Sequence, residues 1–545
     1  MLSAFRGTGQ FIDLVNEKYP EINLEIIPYS GANMTGYMRD EITTDHMPDI
    51  YVTTVYFPGQ EDFSDRLIDL SGYDFTNNYA DARLRDVSDN GAIYLLPTAY
   101  SCVGITYNKT LLEKHGWTLP GSFAELEELA PKVKEAGCVL ALNQGTLPGY
   151  GFQYFCNILD TVYLNTLDGR KWQNDFLNGT ATVRDTPAMM DAMSTLEKWK
   201  EIGMLASDVG TAGDARVKAK MAEGNTVFML GSTNNFTRED SDDEFGYMPY
   251  LSEDGTQNSF ILNVSRYVGL SKRLEDEGNE QKLEDALHVM EVLSSLEGLQ
   301  ALSYGMEDTT LLPLQDYAIP DSNLYKQIED DLNAGWDNLI VPIGEAVLDY
   351  AGGRLTLDGL VAAIDGSQHL LFDDDSIIYT TLTEKLDTDD CTRLVGICLS
   401  QASGADLALI SENRWYKTEN GYGGLDTHGI SGSLFPMPIK DQEMVSILPT
   451  GWRGNIETVT FTGARIKELL ETGYEKNGLS FPYQLVTPDG MTLDDDTVYT
   501  AVICGVTDEV AVEGNLTDTG ILGLDAMKEY LGRSDTLSKD DLRWE

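Results

Sequence analysis

The sequence has few histidines and cysteines, and it has no long apolar segment. It has five histidines, and its six cysteines form no C-x-x-C pair and have no histidine at zinc-ligand spacing. It has no run of about 18 apolar residues, the length that a transmembrane helix requires. The opening "MLSAFRGTGQ" lacks the apolar core of a signal peptide, so we expect a trimmed mature form or an incomplete gene product.

Basic residues are also scarce. The 545 residues include 38 lysines and arginines against 89 aspartates and glutamates, which gives a formal net charge of −51. Because so negative a surface repels nucleic acid and anionic lipid, neither is an expected partner. The length predicts about three to four folding units, each able to bury its own core. A chain of this length does not need disulfides, so the cysteines are predicted to be mostly buried thiols.

Two motifs look like metal sites but are interpreted as loops or turns. "DTHGI" places Asp426 and His428 two residues apart, as in a phosphoesterase. A two-metal centre takes about six to eight ligands from separate loops. His428 has no companion motif, so both residues are predicted to be loop residues. The triplets at 373–375 and 494–496 lack the glycine and terminal glutamate of an EF-hand and predict solvated turns. We therefore expect no metal and no cofactor.

The first 370 residues alternate helix and strand patterns. "FIDLVNEKYP" predicts a helix ending at Pro20, before a strand in "INLEIIPYS". "MPDIYVTTVYF" predicts another strand, and "GAIYLLPTAYSCVGITYNKTLLEKHGW" predicts two strands flanking a proline turn, then a helix. "NTVFMLGSTNNF" predicts a strand and a polar loop, and "LEDALHVMEVLSSLEGLQALSYG" predicts one amphipathic helix closed by Gly305. This order is typical of α/β folds, in which ligands bind at the carboxyl ends of strands.

These segments resemble the extracellular solute-binding proteins of ABC importers, the family that mostly binds sugars. The likeness lies in "FIDLVNEKYPEINLEI", "PDIYV", "IYLLPTAYSCVGITYNKTLLEKHGWTLPGSFAELEELAPKVKEAG", "MAEGNTVFMLGS" and "LSSLEGLQALSYG". It covers about residues 1–370, and the family's first strand is missing or reduced to "LSAF". The resemblance implies two α/β lobes, joined by crossing strands, that close like a clamshell on a solute. It also implies an ABC permease as partner, a monomer, and an extracellular, cell-surface location such as that of a lipoprotein.

The resemblance also indicates where the solute binds. Sugar rings have apolar faces and hydroxyl edges, so a sugar site combines aromatic rings with Asn, Asp and Ser side chains. The candidate loop residues are Phe5, Arg6, Thr8, Tyr56, Phe57, Tyr100, Ser101, Tyr150, Ser232, Asn234, Asn235, Glu307 and Asp308. For any single aromatic residue among them, the alternative is ordinary packing in the core or at its rim.

A different pattern follows the run "DDDS". "CTRLVGICLSQASG" predicts a helix, "ADLALISE" a strand and "ENGYGGLDTHGISGS" a glycine-rich loop. "IETVTFT" alternates as a strand does, and "GARIKELLETG" places its apolar residues on one helical face. We therefore expect a separate α/β or α+β domain at residues 375–545, after a two-lobe domain at residues 1–370.

This second unit resembles the carboxy-terminal domain of the 5′-nucleotidase family, the half that holds the base and sugar. The likeness lies in "SGADLALISENR", "MVSILP", "GNIETVTFTGARIKELLETG" and "LDDDTVYTAVICGVTD". The family's Asn-Gly-Gly-Gly-Ile-Arg run is replaced by residues 411–415, so an altered pocket and a lost pocket both fit. Only Arg414, Asn455 and Asp508 carry over.

Three aromatic residues lie in or beside these loops: Trp415, Tyr422 and Trp452. They suit stacking on an uncharged nucleobase, and they equally suit packing of the module against the lobes. The metals and attacking water of the nucleotidase family belong to a different domain, so the resemblance implies a non-catalytic module.

The sequence thus favours a solute receptor of an ABC importer, for a carbohydrate, with a non-catalytic nucleotidase-like module. One alternative is a receptor for a nucleoside or nucleotide. A second is a metal-dependent nucleotide hydrolase, which the missing metal motifs disfavour. A third is an adhesion or scaffolding protein that uses the two lobes as a rigid spacer.

Overall fold

The computed structural model describes residues 2–3, 8–25, 27–28, 38, 41–42, 47–54, 63–143, 148–205, 221, 223–232, 241–326, 343–367, 377–411, 416–418, 421–423, 434–450, 454–476, 479–504 and 508–544. Up to residue 367 the strands are β1 (Leu2–Ser3), β2 (Ile27–Pro28), β3 (Ile50–Thr53), β4 (Leu96–Asn108), β5 (Val139–Asn143), β6 (Thr226–Ser232), β7 (Phe245–Met248) and β8 (Ile261–Leu270). The helices are α1 (Thr8–Lys18), α2 (Asp81–Asp86), α3 (Lys109–His115), α4 (Phe123–Glu135), α5 (Pro148–Asp160), α6 (Leu167–Leu177), α7 (Pro187–Glu201), α8 (Glu280–Leu293), α9 (Leu296–Leu302), α10 (Gly344–Ala351) and α11 (Leu357–Gly366).

A six-stranded sheet runs through this part of the chain in the order β3-β8-β4-β6-β5, with β7 also paired to β4. Its longest strand, β4, has 13 residues and is antiparallel to β6, β7 and β8. The prediction of two strands around a proline turn was wrong, because Pro97 is the second residue of β4. Proline has no N–H to donate, so it is tolerated at strand starts and bulges, and the pairing with β8 shifts register directly after Pro97.

The sheet serves two hydrophobic cores. Leu96, Tyr100 and Cys102 of β4 belong to the first core, together with α1, α8 and α9. Val103 and Ile105 of the same strand belong to the second core, with α3 to α7, α10 and α11. The strands β4 and β8 therefore cross from one lobe to the other, as the family resemblance implies. The reduced first strand is also present, since β1 pairs in parallel with β2.

The segment from 280 to 302 differs from its prediction. It forms two helices, α8 and α9, where one was expected. The Ser295 hydroxyl accepts a hydrogen bond from the Gly298 amide at 3.0 Å and so caps the start of α9. A Cβ on Gly298 would lie 1.9 Å from the Val292 carbonyl oxygen, so this break requires glycine.

The C-terminal unit begins after residue 376. Its strands are β9 (Thr380–Leu382), β10 (Leu407–Ser411), β11 (Tyr416–Thr418), β12 (Gly421–Gly423), β13 (Pro438–Ile439), β14 (Asn455–Thr462), β15 (Tyr474–Lys476), β16 (Leu479–Phe481), β17 (Tyr483–Val486), β18 (Val498–Cys504), β19 (Thr517–Leu522) and β20 (Thr536–Leu537). Its helices are α12 (Thr388–Ser403), α13 (Asp441–Ile447), α14 (Gly463–Thr472), α15 (Asp508–Glu513) and α16 (Gly523–Leu531).

This unit is built on a five-stranded sheet in the order β17-β10-β18-β14-β19. Helices α12, α13 and α16 contribute to the core on one face, and α14 contributes to a separate cluster on the other. The predicted helix at α12, the strands β10 and β14, and the helix α14 are confirmed. The described residues thus form an additional α/β layer structure after the two lobes.

The first lobe and the C-terminal unit share one core. Phe11 and Met38 of the lobe belong to the same hydrophobic cluster as Leu434 and Phe435 of the unit. Glu41 is fully buried in this region, and its burial raises the carboxyl pKa to about 8, although the charge of Lys385 in the C-terminal unit acts in the opposite direction. Separation of the unit from the lobe would therefore expose apolar surface.

The remaining predictions about cysteines and acidic turns can be checked directly. None of the six cysteines, all of which lie in the described ranges, forms a disulfide; Cys138 is partly exposed and the other five are buried, as predicted. The Asp494 carboxylate accepts hydrogen bonds from the Asp496 and Thr497 amides, both at 3.1 Å, which confirms an exposed turn. The triplet at 373–375 lies outside the described residues. Within the described part of the chain, no helix is long and apolar enough to span a bilayer.

Candidate functional site

The crossing of β4 and β8 brings several segments together. Tyr100 of β4 and Leu311 exchange two backbone hydrogen bonds, at 2.7 and 2.8 Å. The Tyr325 hydroxyl donates to the Cys102 carbonyl oxygen at 3.3 Å. The segment from 307 to 325 is therefore fixed against β4 at the point where that strand changes lobes.

A buried asparagine holds this segment in shape. The Asn323 amide donates to the Glu307 and Thr310 carbonyl oxygens at 2.8 and 2.7 Å, and its side-chain oxygen accepts from the Tyr325 amide at 2.9 Å. Both N–H bonds and the oxygen of this side chain are used, which makes the turn after α9 a rigid part of the crossing.

The carboxyl ends of two other strands lie beside β4 and β8. β3 ends at Thr53, which pairs with Tyr267 of β8. β6 ends at Ser232, whose backbone pairs with Val103 of β4. In α/β sheets, ligands bind at such strand ends, particularly where chain connections diverge. The crossing is therefore the candidate functional site.

The polar side chains on β8 at this site were missed by the sequence analysis. Asn263 is exposed, and Ser265 and Arg266 are partly exposed, in a strand whose other residues are apolar apart from Tyr267. The β4–β8 pairing shifts register twice here, around Ala99. Bulges of this kind redirect side chains and are frequent beside functional sites. Three polar residues inside "ILNVSRYVGL" are the sequence signal that would have found them.

Arg266 is unusual among these residues. Its guanidinium donates to the carbonyl oxygen of its neighbour Ser265, and its enclosed Nε has no hydrogen-bond partner among the described residues. Burial lowers the pKa of the guanidinium to about 10. It makes no ion pair within the part of the chain that the structure describes.

Some of the residues predicted for the clamshell site meet at the crossing. Ser101 pairs with Asn263 and is 6% exposed. Glu307 and Asp308 are exposed on the turn held by Asn323, and the Ser232 backbone lies beside Val103. These four predicted residues share the neighbourhood of β4 and β8, although only the backbone of Ser232 is described.

Other predicted residues lie in the cores. Tyr100 is 1% exposed, and the guanidinium carbon of Arg83 lies 4.8 Å from the centre of its ring. Burial raises the pKa of the Tyr100 phenol well above its ordinary value. Thr8 is buried at the start of α1, and Tyr150 is buried in the second core near the start of α5. The predicted residues outside the described part of the chain are Phe5, Arg6, Tyr56, Phe57, Asn234 and Asn235.

The candidates in the C-terminal unit are described only in part. The Asn455 amide donates to the Asp518 carboxylate at 3.1 Å, between β14 and the edge strand β19. Tyr422 lies in β12 and Asp508 begins α15, with only their backbones described. Arg414, Trp415, Trp452, Asp426 and His428 lie outside the described residues. Among the residues that are described, no group of three or more His, Cys, Asp or Glu side chains suits a metal ion.

The sequence matches a protein-family model. Residues 10–303, more than half of the 545, match the model described as bacterial extracellular solute-binding protein. No curated protein matches the chain.

Solved structures of solute-binding proteins share the fold. A family 1 extracellular solute-binding protein from Bifidobacterium longum subsp. infantis is 19% identical, with a TM-score of 0.52 over 68% of this chain and 98% of its own. A stachyose-bound sugar transporter from Bacillus licheniformis is 18% identical, with a TM-score of 0.54 over 68% and 99%. A maltose-bound protein of T. maritima is 18% identical, with a TM-score of 0.52 over 68% and 98%.

The match and the fold lead to one conclusion about the class of protein. At these identities the solved structures establish the fold alone, and they cover about two thirds of the chain. The family model identifies the class: solute-binding proteins of ABC importers, which bind their solute and catalyse no reaction on it. The chain belongs to the bacterial extracellular solute-binding proteins.

Proposed function

We propose that this receptor binds an oligosaccharide where β4 and β8 cross between the lobes, and delivers it to an ABC permease. The observation that carries the proposal is the set of polar side chains at the crossing: Ser101, Asn263 and Ser265. Hydroxyl and amide groups can both donate to and accept from sugar hydroxyls. Structures with this fold contain bound stachyose and maltose, which supports a saccharide as the solute class.

The crossing strands can act as a hinge between the two lobes. β4 and β8 each contribute residues to both cores, so one lobe can rotate relative to the other while the strand pairing is kept. A solute that contacts both lobes favours the closed arrangement by the difference between its affinities for the two states. Phe5, Arg6, Tyr56, Phe57, Asn234 and Asn235 remain our predictions for further contacts on the loops that follow the strands.

Thermal unfolding of the full chain tests the proposal. We expect stachyose, raffinose or maltose to raise the melting temperature, because a ligand at 100 times its Kd stabilises the folded state by about 2.7 kcal/mol. Asn263→Ala should weaken this shift by removing a hydrogen-bonding group at the crossing. The matched control is Asn174→Ala, at an exposed position of α6 in the second lobe. Unchanged saccharide affinity in Asn263→Ala, or no response to any saccharide, contradicts the proposal.

The nucleotidase-like role of residues 375–545 remains a prediction, as does their division from residues 1–370. The strand-Thr-Gly-helix order of β14 and α14 supports the likeness. The core shared with the first lobe supports the packing role for the unit. Calorimetric titration of the full chain with adenosine and with AMP separates the two roles. Heat from adenosine binding supports a nucleoside pocket, and no binding at millimolar concentration supports packing alone.

A further inference from the structure

Arg266 lies at the crossing and is held by the sheet. Its backbone pairs with Ala99 of β4, and its carbonyl oxygen accepts a hydrogen bond from the Thr98 hydroxyl at 3.0 Å. The next residue, Tyr267, pairs with Thr53 at the end of β3. Arg266 therefore has a fixed position between the strand end of β3 and the polar residues Ser101 and Asn263.

The guanidinium of Arg266 is only partly satisfied. Among the described residues, its one acceptor is the Ser265 carbonyl oxygen, and the Nε–H has none. A buried charged group that lacks its hydrogen bonds destabilises the folded state. The chain has 89 carboxylates, and its arginines elsewhere do pair with them: Arg184 lies 2.8 Å from Asp358, and Arg354 lies 2.7 Å from Asp349. An unpaired arginine at the candidate site thus has donors available for a ligand.

The chemistry of the guanidinium indicates which ligand it suits. Arginine presents planar, parallel N–H groups that bind a carboxylate through two hydrogen bonds, whereas a sugar hydroxyl uses only one of them and leaves the charge unpaired. A net charge of −51 disfavours the approach of anions in general, so an anion is accepted only where a local cation offsets the repulsion. Arg266 is such a cation.

We propose that the solute is an acidic oligosaccharide and that Arg266 binds its carboxylate at the crossing of β4 and β8. This inference rests on the proposed function and deepens it by specifying the solute class. Ser101, Asn263 and Ser265 contact the hydroxyl groups of the same solute, while the carboxylate completes the hydrogen bonds of Arg266.

Isothermal titration of the full chain with matched pairs of saccharides tests the inference. The pairs are trigalacturonate with its methyl ester, and sialyllactose with its methyl ester, since the two members of each pair differ only in the carboxylate. We expect the acidic member of at least one pair to bind tenfold or more tightly than its neutral partner. In Arg266→Gln this preference should disappear, because neither member of the pair then meets a charged partner. Arg266→Lys should recover only part of it, because lysine cannot make the paired contact.

Two controls separate binding from folding and from overall charge. Arg184→Gln removes the same charge on the surface of the second lobe and should keep the preference. The melting temperature of each variant without ligand shows that it folds. Neutral saccharides that bind the wild type as tightly as acidic ones overturn the acidic solute and leave the oligosaccharide receptor standing. A chain that binds no saccharide of either kind overturns the proposed function itself.

Discussion

Two antiparallel strand pairs dominate the two halves of the molecule, and they differ in regularity. The pair β14–β18 in the C-terminal unit keeps one register over five residue pairs, from Thr458–Val502 to Thr462–Val498. The pair β4–β8 at the lobe crossing shifts register twice and carries polar residues in its middle. Cross-strand packing is enough to stabilise a regular strand pair. The bulges in the irregular pair redirect side chains out of the regular alternation. The irregularity marks the strand pair that carries the candidate site.

The arginines of the two regions differ in their hydrogen-bond and ion-pair partners. Arg465 of the C-terminal unit makes two parallel hydrogen bonds to Glu513, both at 2.9 Å, and Arg533 lies 3.3 Å from Glu529. Arg266 at the crossing has a single acceptor in the described part of the chain, the Ser265 carbonyl oxygen. These two arginines of the C-terminal unit therefore take part in structural ion pairs, whereas Arg266 makes none with the described residues.

At a fixed pH, the largest expected effect comes from adding a side chain at the crossing. A Cβ on Gly104 of β4 would lie 2.2 Å from the hydroxyl oxygen of Tyr247 and 2.8 Å from the Met248 carbonyl oxygen. Tyr247 is buried and contacts Tyr325 edge to face, so it has little room to move. We expect Gly104→Val to lower the free energy of unfolding by about 3 kcal/mol, as measured by urea denaturation.

The control for this prediction is Gly72→Val. A Cβ at Gly72 meets no atom within 4 Å, and its backbone is not in the left-handed region. We expect a change within about 0.5 kcal/mol there. Equal effects of the two substitutions would show that the crossing tolerates repacking, and would remove the contrast between β4–β8 and the regular sheet.

The next effect concerns the boundary between the two regions. Burial raises the pKa of Glu41 to about 8, so the folded chain keeps this proton at pH values where the unfolded chain, with an ordinary carboxyl pKa, has lost it. The stabilisation is complete below the unfolded pKa and is lost as pH rises through the folded pKa. Stability should thus fall by roughly 1.4 kcal/mol per pH unit between about pH 5 and pH 8.

Glu41→Gln should flatten this dependence, because glutamine stays neutral. Urea denaturation of the wild type and the variant at half-unit intervals of pH measures the difference between them, in which the contributions of other groups cancel. Glu284→Gln, at an exposed position of α8, serves as the control and should follow the wild type. If the Glu41→Gln curve runs parallel to the wild-type curve, Glu41 does not titrate as proposed at this boundary.

The sequence predicts the regular region better than the crossing. Strand β14 and helix α14 follow from alternation and helical periodicity because each pattern matches one exposed and one buried face. Strand β4 cannot be predicted in this way, because Pro97 is a local signal for a turn. The proline is accommodated in the strand by pairing with β8, whose residues are more than 160 positions away from it. Local patterns contain no information about such distant pairing.

The candidate site shows the same limit. Ser101 was predicted from its loop-like neighbourhood and does lie at the crossing, while Tyr100, next to it, points into the first core. Side chains alternate between the faces of a strand, and a bulge reverses the alternation, so the assignment depends on a register that the sequence alone does not determine. The polar pattern in "ILNVSRYVGL" could have drawn attention to Arg266, but the absence of a carboxylate beside it among the described residues could not be predicted, because a missing tertiary partner has no signature in the sequence.

The smallest expected effects test the contrast between the arginines, and they should have opposite signs. Arg266→Leu removes a poorly satisfied charge, so the chain without solute should become more stable by about 1 kcal/mol, as is common when a residue kept for function is replaced. Arg465→Leu removes an ion pair whose partners are partly exposed, so stability should fall by about 0.5 kcal/mol. Urea denaturation of both variants in low and high salt measures the difference. Salt should reduce the loss in Arg465→Leu, because it screens the exposed pair, and should leave the gain in Arg266→Leu nearly unchanged. A loss of stability in Arg266→Leu comparable to that in Arg465→Leu would mean that Arg266 stabilises the fold, and that the two regions use their arginines alike.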